Sequence, residues 1–144
     1  MVTVERTFVV LKPRDVVLDY LKDFAHAEEW DPGTKYCRRN DSGPVAVGST
    51  WHNVSEFNGS ETELEYRLET LEPGRLTFVG NNKTATSTDD ITLVDNETGT
   101  TITYRANIAF HGIAKLAGPF LQRTFEKLAD ETREQMTRTI NALE

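Results

Sequence analysis

A row of alternating segments runs from about Gly48 to Phe110, and one long amphipathic segment then closes the chain. In that last segment Phe120, Leu121, Phe125, Leu128, Thr132, Met136, Ile140 and Leu143 recur at helical spacing, with Arg123, Glu126, Lys127, Glu131 and Arg133 between them. A helix with one broad apolar face has to bury it against another layer. The large partner available is the inner face of the strands that precede it. A curved antiparallel sheet holding a single helix leaves space between the two, and such a space suits small apolar molecules.

The rest of the chain is organised around that pairing. Val2 to Leu11 reads as a first strand, rich in Val, Thr and Phe. Pro13 suits the first residue of a helix, and Asp15 suits its positive end. Val16, Val17, Tyr20, Leu21 and Phe24 give that helix an apolar face. A second helical piece covers Phe24 to Glu29, and Trp30-Asp31-Pro32-Gly33 ends it with turn chemistry. A short strand at Lys35 to Arg39 and a turn at Asn40 to Pro44 follow. The meander then comprises Thr50 to Phe57, Glu61 to Leu71, Arg75 to Gly80, Thr84 to Val94 and Thr101 to Phe110. Asn58-Gly59 is its strongest hairpin signal. On the second of these strands Thr62, Leu64, Tyr66, Leu68 and Thr70 share one side, opposite charge. Gly118-Pro119 separates a helical turn at Ile113 to Ala117 from the closing helix. The order predicts one α+β domain spanning residues 1–144, built on an antiparallel sheet rather than on alternating βαβ units.

Charge and cysteine content narrow the partners. The net charge is −7, and Glu61, Glu63, Glu65 and Glu69 form an acidic row interrupted by Arg67. Phosphate backbones are held by clustered Lys and Arg, so nucleic acid is not an expected partner, nor is an anionic membrane surface. No apolar run approaches the ~18 residues of a membrane span. The first residues carry no basic stretch followed by an apolar one, and Cys37 is the lone cysteine. Together these suggest a reducing, cytoplasmic setting.

Several short signatures resemble the START-like superfamily, also called the helix-grip or birch-allergen-like fold. Within it they are most similar to bacterial polyketide cyclase/dehydrase-like proteins of the SRPBCC group. They are the run Pro13 to Phe24, Trp30-Asp31-Pro32-Gly33, Gly48 to Trp51, Tyr66-Arg67, Gly99 to Tyr104, and Gly112 with Pro119 where the closing helix begins. The resemblance covers essentially the whole chain. It implies a curved antiparallel sheet of about seven strands wrapped around a long C-terminal helix, with two short helices between strands 1 and 2. It also implies an apolar ligand cavity. None of the signatures is a catalytic motif, and fold alone does not assign chemistry.

Strand parity then names a candidate lining. If Trp51 faces the helix, so do Asn53, Ser55 and Phe57, because strand side chains alternate. Leu64, Tyr66 and Leu68 line the same surface, Phe78, Ile91, Leu93, Tyr104, Ala106 and Ile108 continue it, and Phe120 and Thr124 close it from the helix. An unpaired Asn or Ser in a dry core costs about 1–3 kcal/mol, so Asn53 and Ser55 must pair with one another and the backbone, or meet a ligand or water. For proton chemistry the candidates are Tyr66, Tyr104 and Asp89. Asp89 shares the parity of Ile91 and Leu93 unless a bulge intervenes. His52 and Glu56 have the opposite parity and face solvent.

His26, His52, His111 and Cys37 show no metal-ligand spacing, and no nucleotide or nucleophile motif occurs, so neither metal nor cofactor is expected. The leading expectation is a monomer or homodimer that binds a small hydrophobic molecule, a polyketide-like aromatic or a lipid, without membrane insertion. One alternative is a cyclase or dehydratase using the Tyr and Asp groups. The other is a protein-interaction module, which would need an exposed apolar patch.

Overall fold

The structure, a computed structural model, describes residues 1–57 and 59–144, with the side chains of Phe57, Ala117, Gly118 and Pro119 outside the description. Strand β1 (Val2–Val10) turns Val2, Val4, Phe8 and Val10 inward and leaves Glu5 and Val9 exposed. Pro13 stands just before helix α1 (Arg14–Leu21) in an extended conformation, not inside it. There its carbonyl accepts from the Val16 and Val17 amides at 3.1 Å each. The Asp23 side chain accepts from the Ala25 amide and starts a 3₁₀ turn at Phe24–His26, which leads into the single-turn helix α2 (Ala27–Trp30). These pieces bury Val17, Tyr20, Leu21, Phe24, Ala27 and Trp30.

Six strands follow: β2 (Thr34–Arg39), β3 (Thr50–Phe57), β4 (Ser60–Glu72), β5 (Arg75–Asn81), β6 (Ala85–Asn96) and β7 (Gly99–Phe110). With β1 they form one antiparallel sheet in the order β1-β7-β6-β5-β4-β3-β2. The first residue of the expected Asn58-Gly59 turn lies outside the described residues. β6 and β7 pair without interruption from Ala85↔Phe110 to Asn96↔Gly99, so no bulge disturbs the phase of Asp89. β4 does shift against β5 between Leu68 and Thr70. The extra residue there turns Leu71 toward the core opposite Leu76, and Thr70 does not share the inner side with Leu68 as its parity suggested.

A 3₁₀ segment (Gly112–Ala117) leads into helix α3 (Gly118–Asn141), which lies across the sheet. The polar side of α3 fastens it to the edge strand. Arg6 donates to Asp130 Oδ1 at 2.7 Å, to Glu126 Oε1 at 3.2 Å and to the Glu126 carbonyl at 3.1 Å, and Gln122 donates to the Thr3 carbonyl at 3.0 Å. Farther along, Gln135 and Thr139 both donate to the Glu29 carbonyl, tying the helix to α2. This is the helix-grip arrangement expected from the signatures. Among the described residues no helix is long and apolar enough to cross a membrane.

Candidate ligand-binding cavity

The inner face of the sheet has two environments. Toward one end, Phe24 projects into the concavity as a plug. Its ring centre lies 4.4 Å from Tyr66, 4.5 Å from Phe78, 5.9 Å from Trp30 and 6.2 Å from Trp51. Trp51, Leu68, Phe78, Ile91 and Leu93 pack into solid core there, together with Met136 and Ile140 of α3. Toward the other end, among the described residues, a cavity of about 220 Å³ remains between β3, β4, β6, β7 and the first half of α3. Exposed Glu56 and Thr62 stand on its rim.

The expected lining therefore divides. Ser55, Leu64, Tyr66, Asp89, Tyr104, Ala106 and Ile108 border the cavity. Trp51, Leu68, Phe78, Ile91 and Leu93 share the inner face yet lie in the closed core, with Phe24 packed against Trp51 and Phe78. The Trp51 indole N–H is committed to Asp23 Oδ1 at 2.9 Å. Asn53 is buried too and satisfied within the protein, accepting from the Ser55 hydroxyl at 2.8 Å and bonding the Cys37 sulfur. The Phe57 side chain lies outside the described residues.

Phe120 does not close the cavity; it is 83% exposed. Helix geometry gives the reason. At about 100° per residue, Phe120 points about 125° away from the centre of the stripe formed by Leu121, Phe125, Leu128, Ala129 and Thr132, and Thr124 points about 85° away. Those five residues border the cavity, whereas Phe120 and Thr124 do not. Phe120 falls outside the arc of roughly 100° that those five residues span, and that signal was present in the sequence. Residues missed by parity counting on the expected strands include Val4, Ala85, Ser87 and Phe110, which carry the same alternation as their neighbours. Asp31 and Gly33 arrive from the turn after α2, a placement that only the fold provides. Phe120 joins Ile113 and Leu116 as exposed large apolar residues around the start of α3, while Val9, Tyr36 and Val94 are exposed on the sheet.

A polar cluster sits within the apolar walls. Asp89 is 6% exposed and accepts from the Tyr104 hydroxyl. Burial and the nearby Asp31 carboxylate push its pKa up to about 8, against the opposing hydrogen bond from Tyr104. The same burial, with Asp89 close by, holds the Tyr66 and Tyr104 phenols far above their ordinary range, so both remain protonated. Tyr66 pairs with Ser87 and crosses Gly80 of β5, where an added Cβ would lie 2.7 Å from its ring. Gly80 therefore leaves room for the ring to lie flat on the sheet. Burial raises Asp31 also, but its two oxygens are held by the Gly33 amide at 3.0 Å and the Thr34 hydroxyl at 2.8 Å. Trp30 Nε1 is a buried donor without a partner among the described residues, and its ring stands edge-on to Tyr104.

Comparison with known proteins agrees with this geometry. Among curated proteins no sequence matches. Of solved structures, an aromatase/cyclase named Zhui from a Streptomyces species superposes with a TM-score of 0.72 at 12% identity, covering 96% of this chain and 90% of that one. A START superfamily protein from Mycobacterium smegmatis gives 0.68 at 17% identity, covering 96% and 94%. The di-domain aromatase/cyclase StfQ of the steffimycin pathway gives 0.71 at 12% identity, and this chain spans 50% of its length. At such identities the likeness is one of fold. A family model described as polyketide cyclase / dehydrase and lipid transport matches residues 1–141. With that match across nearly its whole length and a helix-grip fold open at one end, the chain belongs to the polyketide cyclase/dehydrase and lipid transport family.

Proposed function

We propose that the protein binds a small hydrophobic molecule in the cavity between the sheet and α3. The observation that carries this reading is the volume of about 220 Å³ left open beside a fully packed core in the same concavity. A domain able to close one end with Phe24, Trp30 and Trp51 leaves the other end open, and its walls combine apolar side chains with a few convergent polar groups. The bulk of the ligand is held by burial, and Tyr66, Tyr104, Asp89 and Ser55 orient it. A polyketide-like aromatic or a lipid chain fits walls of this kind. The lone, buried Cys37 suits a reducing compartment such as the cytoplasm.

Ala106 borders the cavity on β7, so Ala106→Trp should fill it. Uptake of N-phenyl-1-naphthylamine, followed by its fluorescence, should be lost in this variant while the far-UV circular dichroism stays native. Undiminished uptake would show that the dye, and by extension the ligand, binds elsewhere.

One observation favours a second reading, a cyclase or dehydratase. Asp89 keeps its proton at neutral pH while facing an apolar chamber, as a general acid does. Under that reading, Asp89→Asn removes turnover of a bound ketide and leaves the ligand's dissociation constant nearly unchanged. Equal loss of both would return the residue to a binding role.

A further inference from the structure

The charges around the cavity specify the head group of its ligand, an inference that rests on the ligand-binding reading above. Among the described residues bordering the cavity, the charged side chains are Asp31, Glu56 and Asp89, with no Lys, Arg or His. Helix α3 brings only apolar side chains and Thr132, and β5 sets Phe78 opposite Asp89. The titratable groups facing Asp89 are therefore Asp31 from the turn after α2, Tyr66 from β4 and Tyr104 from β7.

The two buried carboxyl groups differ in how far they are satisfied. Asp31 spends both oxygens on its own turn. Asp89 has the Tyr104 hydroxyl as its single hydrogen-bond partner among the described residues, although a carboxylate offers about four acceptor positions. Its remaining acceptor capacity faces the cavity. An anionic head group would meet two carboxyl groups and no counter-charge, an arrangement that burial makes strongly unfavourable. A protonated amine would supply the N–H donors that Asp89 lacks, in a cavity that Tyr66 and Tyr104 also line.

We propose that the cavity selects an apolar molecule bearing one protonated amine, which Asp89 receives as a carboxylate. The exchange balances in protons: the neutral Asp89 carboxyl and the ligand ammonium combine to give a carboxylate–ammonium pair and one proton released to solvent. Affinity for such a ligand rises about tenfold per pH unit while Asp89 of the free protein is still protonated, and falls once the ligand amine itself deprotonates. Asp89 ionises in the free protein at about pH 8, so the rise occupies the range below that value.

Three probes with one apolar body test this: 1-naphthylmethylamine, 1-naphthalenemethanol and 1-naphthoate. Titration calorimetry at pH 6, 7 and 8, in buffers of different ionisation enthalpy, gives both affinity and the number of protons exchanged. We expect the amine to bind at least tenfold more tightly than the alcohol at pH 8, the carboxylate to bind most weakly, and one proton to be released with the amine at pH 6 and 7. In Asp89→Asn the advantage of the amine over the alcohol and its pH slope should both disappear. Should that variant fail to fold, the proton count on the wild-type protein decides alone. Amine binding no tighter than alcohol binding, or without proton release, overturns the amine assignment and leaves the cavity reading standing. Failure of all three probes to bind folded protein overturns the cavity reading, and this inference with it.

Discussion

Replacing Asp89 by Asn should make the protein more stable at alkaline pH, and the structure sets both the sign and the size of the effect. The folded-state pKa of Asp89 is about 8, against an ordinary 3.8 for an aspartate in the unfolded chain. Below about pH 4 both states hold the proton, and the group does not discriminate between them. As pH rises the unfolded chain loses its proton while the folded protein keeps it, so stability falls until the folded carboxyl ionises near pH 8. Each pH unit in this window is worth about 1.4 kcal/mol, so the loss from pH 5 to pH 8 is about 4 kcal/mol. Asparagine fills the same space, still accepts from Tyr104 and carries no proton equilibrium. The stability difference between Asp89→Asn and wild type should thus grow by about 4 kcal/mol in the variant's favour over that range. Urea unfolding followed by tryptophan fluorescence at each pH provides the measurement. Taking the difference removes groups common to both proteins, such as His52, which Glu65 and Glu63 hold above its usual range on the outer face. A difference that stays constant within about 1 kcal/mol would mean that Asp89 ionises normally in the folded protein, and the reasoning from burial would be refuted.

Other consequences are equally direct. Gly80→Ala places a methyl group 2.7 Å from the Tyr66 ring, which Phe24 hems in from another side, so the ring must swing into the cavity. A loss of about 1–3 kcal/mol in chemical denaturation and weaker dye uptake are expected; unchanged uptake would contradict the placement of Tyr66. Cys37 is fully buried and burial pushes its thiol up to about 12, so a thiol reagent should label it only as fast as the protein unfolds. Rapid labelling of native protein would show that β2 opens locally. Trp30→Phe removes a buried donor without a partner among the described residues, whereas Trp51→Phe breaks a bond to Asp23, so the first should destabilise less in parallel melts. The reverse order would indicate that the Trp30 N–H has a partner, such as bound water.

Strand parity and helical periodicity depend on local chain geometry, and these were legible along most of the chain. The alternation of Leu64, Tyr66 and Leu68, and of Asp89, Ile91 and Leu93, placed each of those residues on the inner face. The phase failed at Thr70, where an added residue in β4 shifts the register, because nothing local marks a bulge between Leu68 and Thr70. Phe120 failed for a different reason. Its apolar character outweighed the roughly 100° step that separates it from Leu121, and the angular position decides the contact.

Within the cavity, the sequence supplied the residue types and not their assembly. By itself it determined a sheet gripping a long helix, an inner face with polar side chains among apolar ones, and an acidic exterior. Periodicity and composition carry such information along the chain. Only the tertiary structure decided which end of that face is solid and which is hollow, since Phe24 reaches Tyr66 and Phe78 from a separate segment of the chain. It alone brought Asp31 near Asp89 across more than fifty residues of sequence, in a cavity whose described lining carries no Lys, Arg or His. The ionisation of a buried carboxyl depends on what surrounds it in space, and a linear order of residues does not contain that distance.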